Sequence, residues 1–193
     1  LMLNLIKGFV ASGKVEDAAF DVIMKAADQI KGESSPPRPP SVKDEEWQKA
    51  LEEYAEQAKE QRAYMEYAFF QLLPRVTEGS KRLAVLDQFM QTYPDSTSTA
   101  QIHLQYFIAY KMANNNEKAD EYGEKAVAAD PQNAVTLNLV ADHYGTRQVN
   151  LEKAEQYAKK AVELVPSMNK PEGLTDEQFK AVQDGQLGLA YAS

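Results

Sequence analysis

From Tyr110 to Pro131 the chain reads YKMANNNEKADEYGEKAVAADP, and from Tyr144 to Pro166 it reads YGTRQVNLEKAEQYAKKAVELVP. Tyr110, Ala119, Ala126 and Pro131 in the first stretch are answered by Tyr144, Ala154, Ala161 and Pro166 in the second. The steps are 9, 7 and 5 residues in the first and 10, 7 and 5 in the second. Leu187-Gly188-Leu189-Ala190-Tyr191 restates the opening of the unit a third time. Recurrence at about 35 residues marks helix pairs that cannot bury their apolar faces alone and must stack on neighbours. Stacked helix pairs present grooves, and grooves bind other proteins.

Outward from these stretches the chain is rich in good helix formers, with apolar residues at steps of three and four and little two-residue alternation. The pattern predicts an all-α chain of about nine helices. Residues 2–12 and 15–31 form a hairpin around Ser12-Gly13-Lys14, and Gly32 closes its second helix as a left-handed cap. Glu33-Ser34-Ser35-Pro36-Pro37-Arg38-Pro39-Pro40 follows, read as a stiff spacer over 33–42 rather than as a ligand for a proline-binding domain. A long helix then runs from 43 to 73, with Trp47, Leu51, Tyr54, Ala58, Met65, Ala68 and Leu72 on one stripe, and Pro74 ends or kinks it. Residues 81–92 make the returning helix, with Leu83, Leu86, Phe89 and Met90 inward. Helices over 98–113, 117–129, 133–145 and 151–164 come next. Asn114-Asn115-Asn116 turns the chain, Asn150 is an N-cap, and Thr175 opens a capping box for a last helix over 175–191.

The bulk numbers exclude several function classes. The 193 residues carry a net charge of −8, from 21 basic against 29 acidic side chains, which argues against nucleic acid and against an anionic membrane surface. With no cysteine there is no disulfide, no thiol catalysis and no cysteine-ligated zinc. No run approaches the ~20 apolar residues of a membrane span. The opening Leu1-Met2-Leu3-Asn4-Leu5-Ile6 lacks a basic leader and is broken by Lys7 and Gly8, so it is not read as a signal peptide. The start at Leu1 rather than Met leads us to expect that an upstream segment has been removed.

The spacing of these residues resembles the tetratricopeptide repeat, a 34-residue helix–turn–helix unit with small residues at positions 8, 20 and 27, an aromatic at 11 and a proline at 32. Counted from Ala100, Tyr110, Ala119, Ala126 and Pro131 fall at 11, 20, 27 and 32. Counted from Ala134, Tyr144 falls at 11, and Ala154, Ala161 and Pro166 follow after one inserted residue. Counted from Ala181, Leu187, Gly188 and Tyr191 take 7, 8 and 11. Leu5, Phe9 and Ala18 match 7, 11 and 20 of an N-terminal unit over 1–32. Residues 63–96 match loosely, with Arg82 where alanine is expected. The resemblance implies a right-handed α–α superhelix of stacked hairpins, with the array spanning 43–193 beyond the spacer.

It also implies a concave surface built from positions 2, 5, 9 and 12 of each first helix. Those positions hold Gln101, Leu104, Ile108 and Lys111, then Val135, Asn138, Asp142 and Gly145, then Val182, Gly185 and Leu189. The charged clamp by which chaperone-binding members grip a carboxylate is missing, since Leu104 and Ile108 replace its lysine and asparagine. An apolar helix or extended segment is the expected occupant. His103 and His143 fall at packing positions and are read as structural rather than as metal ligands. No phosphate loop, catalytic triad or calcium loop is present. The expected function is a noncatalytic adaptor for a protein or peptide, with no cofactor and no nucleic acid. A self-associating scaffold, or the noncatalytic region of a larger enzyme or receptor, is the alternative. Tyr93-Pro94-Asp95-Ser96 is similar to helix ends of envelope repeat proteins, which inclines the reading toward an exported bacterial protein.

Overall fold

The computed structural model describes residues 2–12, 17–32 and 37–192. Among them the chain forms nine α-helices and no strand. The order is α1 (Met2–Ser12), α2 (Asp17–Gly32), α3 (Asp44–Leu72), α4 (Gly79–Thr92), α5 (Thr99–Met112), α6 (Asn116–Ala129), α7 (Ala134–Arg147), α8 (Leu151–Leu164) and α9 (Asp176–Ala192). The turn at Gly13-Lys14 and the start of the proline segment, residues 33–36, lie outside the described residues. No helix of the described residues is long and apolar enough to cross a membrane. The helices divide into two compact units, Leu1–Ser96 and Thr97–Ser193.

In the first unit, α1 and α2 pack on each other and both pack on α3, while α2 also meets α4. The elements flanking the proline segment therefore belong to one core. Arg38 ties that segment to the start of α3 by donating to the Val42 carbonyl and pairing with Asp44. α3 ends at Leu72, and Pro74 lies in the single 3₁₀ turn Leu73–Arg75 that follows, as its missing N–H requires. Only the second half of the expected α3 stripe is fully buried. Met65, Ala68 and Leu72 are inside, and Trp47, Leu51, Tyr54 and Ala58 are half-covered.

The centre of this unit is an aromatic run. Phe69 stacks on Phe89 at 4.3 Å, Phe89 stacks on Tyr93 at 4.8 Å, and Phe20 meets Phe69 edge-on at 5.7 Å. Each such pair adds about 0.5–1.5 kcal/mol beyond area burial. The N-terminal register moves by one residue from the expected one. Leu5 is 49% exposed and Ala18 is exposed, whereas Ile6 and Ala19 are fully buried. One residue is about 100° of helix rotation, which turns a neighbouring side chain outward.

In the second unit α5 folds back on α6 and α7 on α8, with α6 also against α7 and α9 against both α7 and α8. The caps are local chemistry. Asn114 takes a left-handed φ of 56°, and Asn115 Oδ1 accepts from Lys118 N at 3.2 Å to open α6. Asn133 Oδ1 accepts from Thr136 N at 3.0 Å and opens α7. Thr175 and Gln178 bond reciprocally, the expected capping box. Asn150 stands at the N-cap of α8 but makes no side-chain cap bond, because it adopts φ 49° and serves the turn instead.

Ala119, Ala126, Ala154 and Ala161 are all buried, at 0 or 1% exposure. Buried so completely, they leave little room for a larger side chain without overpacking. Gly123 shows how little: a Cβ there would lie 3.1 Å from the Phe107 ring and 3.2 Å from a Val140 methyl. Pro131 and Pro166 lie exposed just beyond α6 and α8. Two expectations for α9 fail. Tyr191 is 77% exposed, and a Cβ on Gly188 would meet nothing within 4 Å, since no described helix covers that face. Leu187 does pack against the core.

Candidate functional site

α5 and α7 each carry one row of the expected concave residues. On α5, Leu104 and Ile108 are half-buried and rest on the core formed by Phe107, Leu137 and Val140. Gln101 one turn earlier is exposed. At the other end of the row, Lys111 Nζ sits 2.9 Å from Asp142 Oδ2 on α7. This ion pair bridges the two helices with both side chains about one-third or more exposed, so it is screened and contributes a fraction of a kcal/mol, about 0.2–1.

Between the starts of α5 and α7 lies a cleft of about 450 Å³. Gln101, Leu104 and Val135 line it from the helices, and Thr97, Ser98, Asp130 and Asn133 line it from the turns that precede them. The floor is apolar and the rim is polar. Asp130 is already engaged in its own turn, accepting from Gln132 N and from Asn133 Nδ2, each at 3.3 Å. The rim thus offers hydroxyls and amides more than free charge.

Asn138 is not part of this surface, contrary to expectation. It is fully buried, and its Nδ2 donates to both the carbonyl and the side-chain oxygen of Gln186 on α9, at 2.9 and 2.8 Å. Packing of α9 over that turn of α7 converts a lining position into a helix–helix fastener. Of the six candidates, Gln101 and Leu104 share the cleft, Lys111 and Asp142 pair with each other, and Ile108 lies on α5 between them. Val182 on α9 is 41% exposed.

Two polar networks went unread in the sequence. Glu124 on α6 accepts from Tyr144 Oη at 2.8 Å, Tyr157 Oη at 3.1 Å and Lys153 Nζ at 2.7 Å, so one carboxylate ties α6 to α7 and α8. Burial pushes its carboxyl up, but the donors from Lys153, Tyr144 and Tyr157 outweigh that and hold it below the usual range. Burial, then Glu124, pushes the Tyr157 phenol up to about 12 and the Tyr144 phenol further. The second network is His143, 2% exposed, with Nε2 2.9 Å from Asp120 Oδ1, while Arg147 also pairs with Asp120. The His143 ring meets the Phe107 ring edge-on at 5.4 Å. Burial lowers the His143 pKa, against the pull of Asp120. A signal for both existed, since Asp120 and Glu124 stand one turn apart on α6.

No group of three or more His, Asp or Glu side chains among the described residues is placed to hold a metal ion. In comparisons with known proteins, no protein-family model matches the chain and no curated protein matches it.

Proposed function

We propose that the second unit is a noncatalytic adaptor of tetratricopeptide type that holds a protein or peptide segment against α5 and α7. The observation that carries this reading is the open cleft formed by Gln101, Leu104 and Val135, which occupy equivalent turns of two helices that follow one another in the repeat. Its apolar floor and hydroxyl- and amide-rich rim fit an extended segment or helix with an apolar anchor and backbone groups to satisfy. The order of pairing, α5 with α6, α7 with α8, and α6 against α7, supports stacked hairpins of a right-handed superhelix.

The test is an affinity column of the whole chain, run beside one carrying Leu104→Asp with Val135→Asp, after circular dichroism shows the variant folded. A protein retained from extract of the source cells by the first column and lost from the second is the expected result. The same proteins on both columns would remove this face from consideration.

A further inference from the structure

In the first unit α2, α3 and α4 leave a cleft of about 300 Å³ at the Tyr93 end of the aromatic run. Ala27 and Ile30 of α2, Ala58 of α3 and the Tyr93 side chain line it, and Lys59 and Arg62 bring charge to it. Neither cation is free. Lys59 lies 3.3 Å from Glu56, while Arg62 pairs with Asp95 and lies 3.7 Å from Glu66. Carboxylates already answer both cations, so an anionic ligand would find no uncompensated positive charge here.

The unanswered group is Tyr93. Its side chain is 1% exposed, and its hydroxyl is buried with no hydrogen-bond partner among the described residues. Burial pushes the phenol up, so it stays protonated and keeps a proton to donate. A stranded buried donor is costly, and few persist in a folded protein without a reason. The Arg62 guanidinium lies over the Tyr93 ring at 5.1 Å. Arg62 is 32% exposed and its partner Asp95 is 68% exposed, so their pair is solvent-screened and costs little to break.

Volume and chemistry together define the ligand. At about 30 Å³ for each water-sized group, the cleft holds about ten non-hydrogen atoms. Its walls are aliphatic and aromatic, its charges are spent, and its stranded donor asks for an acceptor oxygen. We propose that this cleft binds an uncharged, mainly aliphatic small molecule whose carbonyl oxygen accepts from Tyr93 as Arg62 swings aside. No residue of the α5/α7 groove takes part.

The probe is 2-octanone, with octanoate as its charged counterpart, each titrated into the whole chain and followed by the amide shifts of Ala27, Ile30 and Ala58. Saturable one-to-one binding of 2-octanone is expected at about 1 mM or tighter, with octanoate weaker by about threefold or more. Tyr93→Phe keeps the ring and removes the donor, and should weaken 2-octanone about three- to tenfold. Its Tm should match or exceed the parent's, because a stranded hydroxyl is removed rather than a bond. Ala58→Phe fills the cleft from a half-covered position and should abolish the shifts while circular dichroism shows the fold intact. No saturable binding of 2-octanone, equal or tighter binding of octanoate, or undiminished binding to either folded variant would overturn the proposal. A clear fall in the Tm of Tyr93→Phe would overturn it too, by showing that the hydroxyl is bonded within the protein.

Discussion

Replacing Tyr144 by phenylalanine removes one hydroxyl from the join between the two hairpins and leaves the ring in place. Tyr144 is 1% exposed and donates to Glu124 Oε1 at 2.8 Å. Hydrogen bonds to charged groups contribute about 1.5–3 kcal/mol when the partner is left stranded. Here Glu124 is not stranded: it keeps Lys153 and Tyr157, and its side chain is 35% exposed to water. The loss should therefore fall to about 1 kcal/mol, which for a unit of roughly 100 residues lowers Tm by about 4–8 °C. Calorimetry on Tyr144→Phe, Glu124→Gln and the double variant isolates the pair, with an expected coupling of about 0.5–1 kcal/mol. The coupling depends on pH with a defined sign. The folded pKa of Glu124 is depressed, so its stabilisation is fully present above the usual carboxyl value and is lost as pH falls through the lower, folded one. A Tm shift under about 1 °C, or a coupling that persists in strong acid, would refute the account of this join.

Gly123→Ala sets helix propensity, a gain of about 1 kcal/mol, against overpacking of about 1–3 kcal/mol, since the new Cβ would press on buried Phe107 and Val140; a net loss of Tm is expected and a gain would contradict the packing. His143 has a depressed pKa, so the unfolded chain takes up its proton first; stability should be level above neutrality and fall as pH drops below about 6.5, and the fall should be smaller in His143→Gln by urea titration. Asn138→Ala removes both fasteners to Gln186, so amide exchange should quicken in α9 and stay unchanged in α5 and α6. Lys111→Ala should lower Tm by no more than Tyr144→Phe does, because the Lys111–Asp142 pair is solvent-screened and contributes only about 0.2–1 kcal/mol.

Helix positions were legible because their signals are local. Asn114 and Asn115, Asn133, Pro74 and the Thr175–Gln178 box each act within one turn, and α5 to α9 begin and end within two residues of expectation. Burial of Ala119, Ala126, Ala154 and Ala161 was legible for a related reason: an alanine recurring among larger residues marks a close approach. What failed depends on neighbours distant in the chain. Ile6 rather than Leu5 turns inward because α2 and α3 decide the rotation of α1. Asn138 looked like a lining residue until α9 crossed it. Tyr191 matches Tyr144 in sequence, yet a side chain is buried only if something covers it. Glu124 stands one turn from Asp120 on α6, but its partners belong to two other helices, α7 and α8, whose approach the spacing does not encode. Of the candidate surface, the α5 row was readable, and the turn residues that complete the cleft, Ser98 and Asn133, were seen only as helix starts.

The central claim is that the face formed by Gln101, Leu104 and Val135 is where a partner rests. A photoreactive phenylalanine placed at exposed Gln101, and separately at exposed Ala128 on α6, tests it by proximity with the partner retained on the column. The account predicts a cross-linked product from position 101 and none from position 128. Equal products from both positions, or none from 101 while the partner is still retained, would contradict it.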